Sequence, residues 1–241
     1  TCGIAIWRGG FGLEIPGAAR ADAVEVIFEF PLSAFRPPEG CCVRLTVFGL
    51  GYLGLTHAAC MAEAGHEVLG IDITPARVAQ LQAGQVPFFE PELAELVARG
   101  LDSGRLRFSC DYQQAADFAQ LHFIAVGTPE SAASPAADTS AVEAVVDKLA
   151  PLLRGEHVVV GKSTVPVGTA ARLQERACSN SPATVDVVWN PEFLREGHAV
   201  ADTLQPDRIV VGTGTAASVA VETLREVYRL PVSYTHLTLP T

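Results

Sequence analysis

The chain has 241 residues, 49% hydrophobic and 18% charged, with a mean hydropathy of +0.26; this excludes a disordered chain and suffices for one core of ordinary size. Seventeen Lys and Arg stand against 27 Asp and Glu, a formal net charge of -10, so no basic surface exists to release counterions and nucleic acid is excluded as the main partner. No apolar run reaches the roughly 18 residues of a membrane span, the start lacks a secretory pattern, and six cysteines show neither zinc-ligand spacing nor disulfide density; a cytoplasmic protein with no metal site and no membrane association is expected.

In chain order, residues 1–42 show no sustained helix or strand period and end in Arg36-Pro37-Pro38-Glu39-Gly40. They are expected to be a linker or a non-native extension, with a genuine N-terminal extension as the alternative. From 43 the pattern becomes regular. β-branched apolar runs predict strands at 45–49, 67–71, 106–110, 121–126, 157–161, 185–189 and 208–212. Helical spacing predicts helices at 53–64, 75–83, 91–101, 139–153, 169–178 and 216–228. Repeated strand and helix imply a mostly parallel, doubly wound α/β sheet with helices on both faces, because parallel neighbours need right-handed crossovers. Residues 232–241 break the helical pattern and resemble the translation of a sequencing adapter, so 231–241 are set aside as an adapter-derived tail.

The first strand runs into Gly49-Leu50-Gly51-Tyr52-Leu53-Gly54, a G-x-G-x-x-G turn opening a helix. Gly49 permits the tight turn, Gly51 lets backbone N–H groups close on a pyrophosphate, and Gly54 lets helix and strand approach. Asp72 ends the second strand, where a carboxylate accepts both ribose hydroxyls and repels a 2′-phosphate. Together they predict a Rossmann-type domain for 43–230 that binds NAD rather than NADP, with Arg77 lying over the adenosine.

Two later strand ends carry polar turns. Val126-Gly127-Thr128-Pro129 is either a plain turn or a hydroxyl beside the cofactor phosphates. In Lys162-Ser163-Thr164-Val165-Pro166-Val167-Gly168-Thr169 the adjacent hydroxyls either hold cofactor and water or cap the following helix. The sixth strand enters Asn190-Pro191-Glu192-Phe193-Leu194-Arg195-Glu196-Gly197, with Asp202 and Pro206-Asp207-Arg208 beyond. Glu192 and Glu196, four apart, are expected on one face of a helical turn with Arg195 beside them, at the ligand-bearing edge of the sheet.

GLGYLG, Asp72, Glu90-Pro91-Glu92-Leu93, VGTP, KSTVPVGT and NPEFLREG followed by PDRIVVG resemble, in order, the N-terminal half of the UDP-glucose/GDP-mannose dehydrogenase family, over about 43–230. NPEFLREG with PDR looks most like the UDP-glucose branch. The resemblance implies four-electron oxidation of a sugar C6 alcohol to a carboxylate with two NAD, a UDP-sugar substrate, and a homo-oligomer for the full-length protein. It implies cofactor contacts from Gly49, Gly51, Tyr52, Leu53, Gly54, Asp72, Arg77, Thr128, Ser163, Thr164 and Glu196. Substrate contacts would come from Glu192, Phe193, Leu194, Arg195 and Glu196. Glu192 would serve acid–base chemistry on a hydrolytic water that Thr164 helps to hold. The family's nucleophilic cysteine sits in a G-G-x-C segment; none of the cysteines at 2, 41, 42, 60, 110 and 178 has those neighbours. The resemblance therefore implies a chain lacking the later family domains and without turnover alone. A non-catalytic NAD-sensing module, or a dehydrogenase using a lysine or histidine from a following domain, are the alternatives; the GDP-mannose and UDP-N-acetylmannosamine branches are further ones.

Overall fold

A computed structural model of the chain describes residues 5–7, 24–29, 42–129, 137–206, 208–213 and 219–228. The predicted tail at 231–241, most of 1–42 and Asp207 lie outside the described residues.

Six strands form the parallel body of one sheet: β3 (Arg44–Phe48), β4 (Glu67–Ile71), β5 (Leu106–Ser109), β6 (Leu121–Ile124), β7 (Glu156–Gly161) and β8 (Thr184–Trp189). They lie in the order β5-β4-β3-β6-β7-β8, so strand order reverses between β3 and β6. This is the doubly wound Rossmann arrangement, in which ligands bind outside the strands' carboxyl ends at that reversal. Strand β9 (Arg208–Thr213) is antiparallel to β8 and touches it through Trp189 and Gly212. Among the described residues the β8–β9 connection contains one six-residue helix, α7 (Ala199–Leu204), and the strand returns in the opposite direction.

Beyond β9 the sheet gains two strands that the sequence reading did not contain. They are β2 (Val24–Glu29), antiparallel to β9, and β1 (Ala5–Trp7), antiparallel to β2. The run Val-Glu-Val-Ile-Phe-Glu is short and β-prone, and its pairing partner is 185 residues away for Val26 and Val211 by the register, so nothing near it in the chain announces the pairing.

The core follows the two-residue alternation of the strands. Leu45, Val47, Val68, Leu121, Phe123, Val158 and Val160 face one helical layer. That layer holds α1 (Tyr52–Glu63), α2 (Pro75–Gln82), α3 (Leu93–Asp102), α7 and α8 (Val219–Val227). Phe48, Leu69, Ile71, Ile124, Val159 and Val187 face the other layer. It holds α4 (Tyr112–Phe118), α5 (Ser140–Leu149) and α6 (Thr169–Asn180). Helix α4 was not read from the sequence, although Asp111 caps it by accepting the Gln113 and Gln114 N–H groups at 2.8 and 3.3 Å. Helix α1 is buried on nearly every side, and its small residues Ala58, Ala59 and Ala62 allow that.

Candidate functional site

At the end of β3 the backbone turns through Gly49, whose φ of 89° belongs to the left-handed region that glycine enters without strain. A side chain there would also meet Val126 Cγ1 at 2.8 Å, across the strand-order reversal. Gly54 is tighter still: a Cβ would lie 1.8 Å from the Gly49 carbonyl oxygen. Gly51, by contrast, faces open space with no atom within 4 Å of an added Cβ, and no side chain caps the helix it begins. The first N–H groups of α1 thus open onto room beside the turn, which is what an anionic group on a helix N-terminus requires.

Asp72 sits at the rim of that room. Its Oδ2 accepts the Leu50 N–H at 3.0 Å and its Oδ1 accepts the Thr74 N–H at 2.9 Å, fixing the carboxylate beside the glycine turn. Each oxygen keeps a lone pair for a further donor. Asp72 is buried, so its orientation is held by packing as well. Arg77 places a guanidinium nitrogen 3.5 Å from Asp72 Oδ2, on the same rim. The glycine turn and Asp72 fit a dinucleotide such as NAD: open space at Gly51, uncapped N–H groups, and an anchored acid beside the turn with acceptor capacity to spare.

Across the reversal, Thr128 donates to the Thr164 carbonyl at 2.7 Å and the Ser163 hydroxyl donates to the Val126 carbonyl. These bonds tie the VGTP and KSTVP turns together. Helix α6 begins at Thr169 after Gly168, at φ 87°, so neither Ser163 nor Thr164 caps it. The Thr164 side chain is exposed.

The NPEFLREG segment is not a helical turn. Residues 190–195 have no regular structure, and the left-handed Gly197, at φ 80°, precedes α7. Glu192 and Glu196 therefore do not share a helical face. Proline at 191 and an acceptor supplied from elsewhere explain the difference: Glu90 takes the Gly197 and Ala199 N–H groups at 2.9 and 2.8 Å. Arg195 forms a forked pair with Asp202, Nη2 to Oδ1 at 2.6 Å and Nε to Oδ2 at 3.1 Å. Phe193 is exposed with Arg208 stacked on its ring at 5.7 Å, Leu194 is half-buried, and Glu196 is exposed.

Beneath this segment lies an open cavity of about 930 Å³ bordered by His57, Lys162, Asn190, Glu192, Arg195 and Tyr228. Lys162 is buried and donates to Asn190 Oδ1 at 3.0 Å and to the Tyr228 hydroxyl at 3.3 Å. Burial lowers its pKa to about 8, with Glu192 acting in the opposite sense, so the ammonium stays charged at neutral pH. Glu192 is half-buried; burial raises its pKa, while its own backbone N–H and Lys162 oppose the rise. Its Oε2 is buried with no hydrogen-bond partner among the described residues, as are both ring nitrogens of His57. Burial, then Lys162, holds His57 well below its ordinary value, so it is neutral.

The sequence reading gave His57, Glu90, Lys162, Asn190 and Tyr228 no individual role. Glu90-Pro91 and Asn190-Pro191 were the available signals. A second open cavity, about 970 Å³, lies at the strands' opposite ends by Arg44, Glu156 and Thr184, and carries none of these motifs.

Residues 43–231 match the NAD binding domain of the UDP-glucose/GDP-mannose dehydrogenase family. A UDP-glucose 6-dehydrogenase of Rhizobium meliloti is 44% identical over 188 residues, 78% of this chain and 43% of that protein. A GDP-mannose 6-dehydrogenase of Pseudomonas syringae is 37% identical, over 73% of this chain and 42% of that protein. The solved UDP-glucose dehydrogenase of Pyrobaculum islandicum superposes with a TM-score of 0.75 at 39% identity, covering 80% of this chain and 45% of that one. The chain spans less than half the length of these relatives.

Proposed function

The chain belongs to the UDP-glucose/GDP-mannose dehydrogenase family, and from that premise we propose that it is the cofactor-binding part of a UDP-glucose 6-dehydrogenase. The observation that carries the reading is the joint placement of open Gly51 and Asp72, whose carboxylate is held by the N–H of the residue preceding that glycine. In this reading 43–230 form the NAD-binding domain, with 1–42 an extension and 231–241 a tail. NAD supplies the hydride acceptor. Gly49, Gly51, Tyr52, Leu53 and Gly54 cradle its pyrophosphate and Asp72 holds a ribose, with Arg77 beside Asp72 lying over the adenosine. Thr128, Ser163, Thr164 and Glu196 border the nicotinamide side.

Glu192 is the acid–base group of the proposed substrate site. A partly desolvated carboxyl with one unpartnered oxygen is suited to accept a proton from water or a hydroxyl. Thr164 steadies that water, and Phe193, Leu194, Arg195 and Glu196 border a UDP-sugar. Among the described residues Cys60 lies inside α1 with its thiol pushed up by burial, the reverse of what a thiolate nucleophile needs. This chain alone is accordingly expected not to complete the oxidation.

GDP-mannose is the second reading, supported by the 37% identical relative. Calorimetry and amide NMR on the chain test both. NAD is expected to bind at least about tenfold more tightly than NADP, a difference of roughly 1.4 kcal/mol. UDP-glucose added to the NAD-loaded chain should shift the amides of 192–196, with no NADH formed. A preference for NADP would contradict the cofactor assignment, and amide shifts with GDP-mannose in place of UDP-glucose would transfer the assignment to the other branch.

A further inference from the structure

The Glu90-Pro91-Glu92-Leu93 run touches neither proposed ligand, yet Glu90 is only 4% exposed and holds more than the end of the NPEFLREG segment. Its Oε2 accepts the Tyr52 hydroxyl at 2.5 Å and the Gly197 N–H at 2.9 Å; its Oε1 accepts the Ala199 N–H at 2.8 Å. Tyr52 is the first residue of α1, directly after Gly51. Ala199 is the first residue of α7, so Glu90 closes that helix's N-terminus from more than a hundred residues away in the chain. One carboxylate thus joins the helix end at the proposed pyrophosphate site to the end of the NPEFLREG segment.

The connection continues. Asp202 on α7 accepts the Arg195 backbone N–H at 3.0 Å as well as its guanidinium, so the position of α7 sets the direction of Arg195. The anchor itself is rigid. Glu90 starts a turn in which Leu93 N–H donates to the Glu90 carbonyl at 3.2 Å, Pro91 stands second and Glu92 third. Glu92 has a φ of 64°, the left-handed geometry that a type II turn demands at its third position and that a side chain there resists. Such a costly backbone persists where the surroundings over-determine it. Burial pushes the Glu90 carboxyl up, but the Tyr52 hydroxyl and the Gly197, Ala199 and Val200 N–H groups outweigh it, and the net direction is down. Glu90 is therefore an anion at neutral pH, and an anion held by the Tyr52 hydroxyl on one side and by N–H groups of the 197–200 segment on the other resists their separation.

We propose that Glu90 is a positioning residue that couples the two halves of the site: whatever occupies the N-terminus of α1 shifts Tyr52, and Glu90 passes the shift to Gly197, α7 and Arg195. The inference rests on NAD binding at the glycine turn. By linkage, the coupling is reciprocal, and ordering of the 190–198 segment favours the cofactor-bound arrangement of Tyr52.

The test is a titration of the isotope-labelled chain with NAD, followed through backbone amide signals to saturation. In the native chain the Leu50 and Tyr52 signals report the glycine turn, and the Gly197 and Ala199 signals report the segment; all four are expected to move. In Glu90→Gln, whose amide cannot accept all three donors, Leu50 and Tyr52 are expected to move still and the Gly197 and Ala199 responses to be lost. If that variant does not fold, Tyr52→Phe removes the hydroxyl's bond to Glu90 together with its direct contact from the Gly197 N–H at 3.3 Å, while Glu90 stays on the segment; loss of the response at Ala199, which Glu90 holds and the hydroxyl does not touch, is then the expected result at saturating NAD. Gly197 and Ala199 signals that stay still in the native chain while Leu50 and Tyr52 move would overturn the coupling and leave the cofactor reading intact. Unchanged responses in the variants would overturn it equally. If none of the four moves in the native chain, NAD binding at the turn fails and the coupling with it.

Discussion

The turn between β3 and α1 and the segment between β8 and α7 both sit at carboxyl ends of parallel strands, but they are built by different means. The first is made by its own backbone. Gly49, Gly51 and Gly54 act through the absence of side chains, and Asp72 reaches the turn from the adjacent strand through the Leu50 N–H. The second owns few of its supports: Glu90 holds its end, Lys162 and Tyr228 hold Asn190 at its start, and Asp202 holds Arg195. A site made of local backbone geometry can be recognised from spacing, whereas one made of borrowed contacts cannot.

Substitutions sharpen that contrast. The largest effect is expected at Gly54→Ala, which places a Cβ 1.8 Å from the Gly49 carbonyl, backbone against backbone. With no flexible side chain to yield, a loss of about 3 kcal/mol or more is expected, read as a large fall in the urea midpoint. A midpoint like that of the native chain would show that helix and strand do not approach as described.

Asp72→Ser comes next and acts on binding. Removing a charged acceptor for the ribose hydroxyls should weaken NAD by about 10- to 100-fold, from roughly 1.5–3 kcal/mol of charge-assisted bonding. The penalty for NADP should be smaller, because the repulsion of a 2′-phosphate disappears while Arg77 remains. Calorimetric titration of both cofactors separates these effects; an unchanged NAD to NADP ratio would break the assignment.

The smallest expected effect on stability belongs to the segment after β8. Lys162→Met removes the two bonds donated to Asn190 and Tyr228 but also relieves a buried charge, and the Tyr228 hydroxyl still donates to Asn190 Oδ1 at 2.8 Å, so a loss of about 1 kcal/mol is expected. Its consequence should appear at Glu192, whose carboxyl Lys162 holds down against burial. Without the ammonium the Glu192 pKa should rise further. Its folded value is raised, so Glu192 costs stability once its unfolded counterpart ionises, and Lys162→Met extends that cost upward in pH. Carbon NMR titration of the Glu192 side chain measures it, and an unmoved or lowered value would show that Lys162 does not act on Glu192.

Most of the sheet was legible because alternation within strands and amphipathic spacing between them are local signals, and the six parallel strands lie close to the expected positions. The expectation at Glu192 and Glu196 erred for a physical reason. Four-residue spacing suggests a helical face only where the N–H groups have partners four residues back, and here Glu90 draws Gly197 and Ala199 out of that pattern. The contact between Arg77 and Asp72 was likewise not legible: the sequence showed a cation five residues past the acid, but not the ion pair between them. Strand β2 went unread because the edge it pairs with, β9, lies at the far end of the sequence.

The central claim is that the glycine turn and Asp72 grip one coenzyme, and Gly51→Val tests it most directly. A Cβ at Gly51 meets no atom within 4 Å beyond its chain neighbours, and its φ of -76° suits any residue, so the variant should fold with native circular dichroism. The added methyls would stand where the pyrophosphate belongs, and calorimetry should detect no NAD binding. A folded Gly51→Val chain that binds NAD as tightly as the native one would contradict the account.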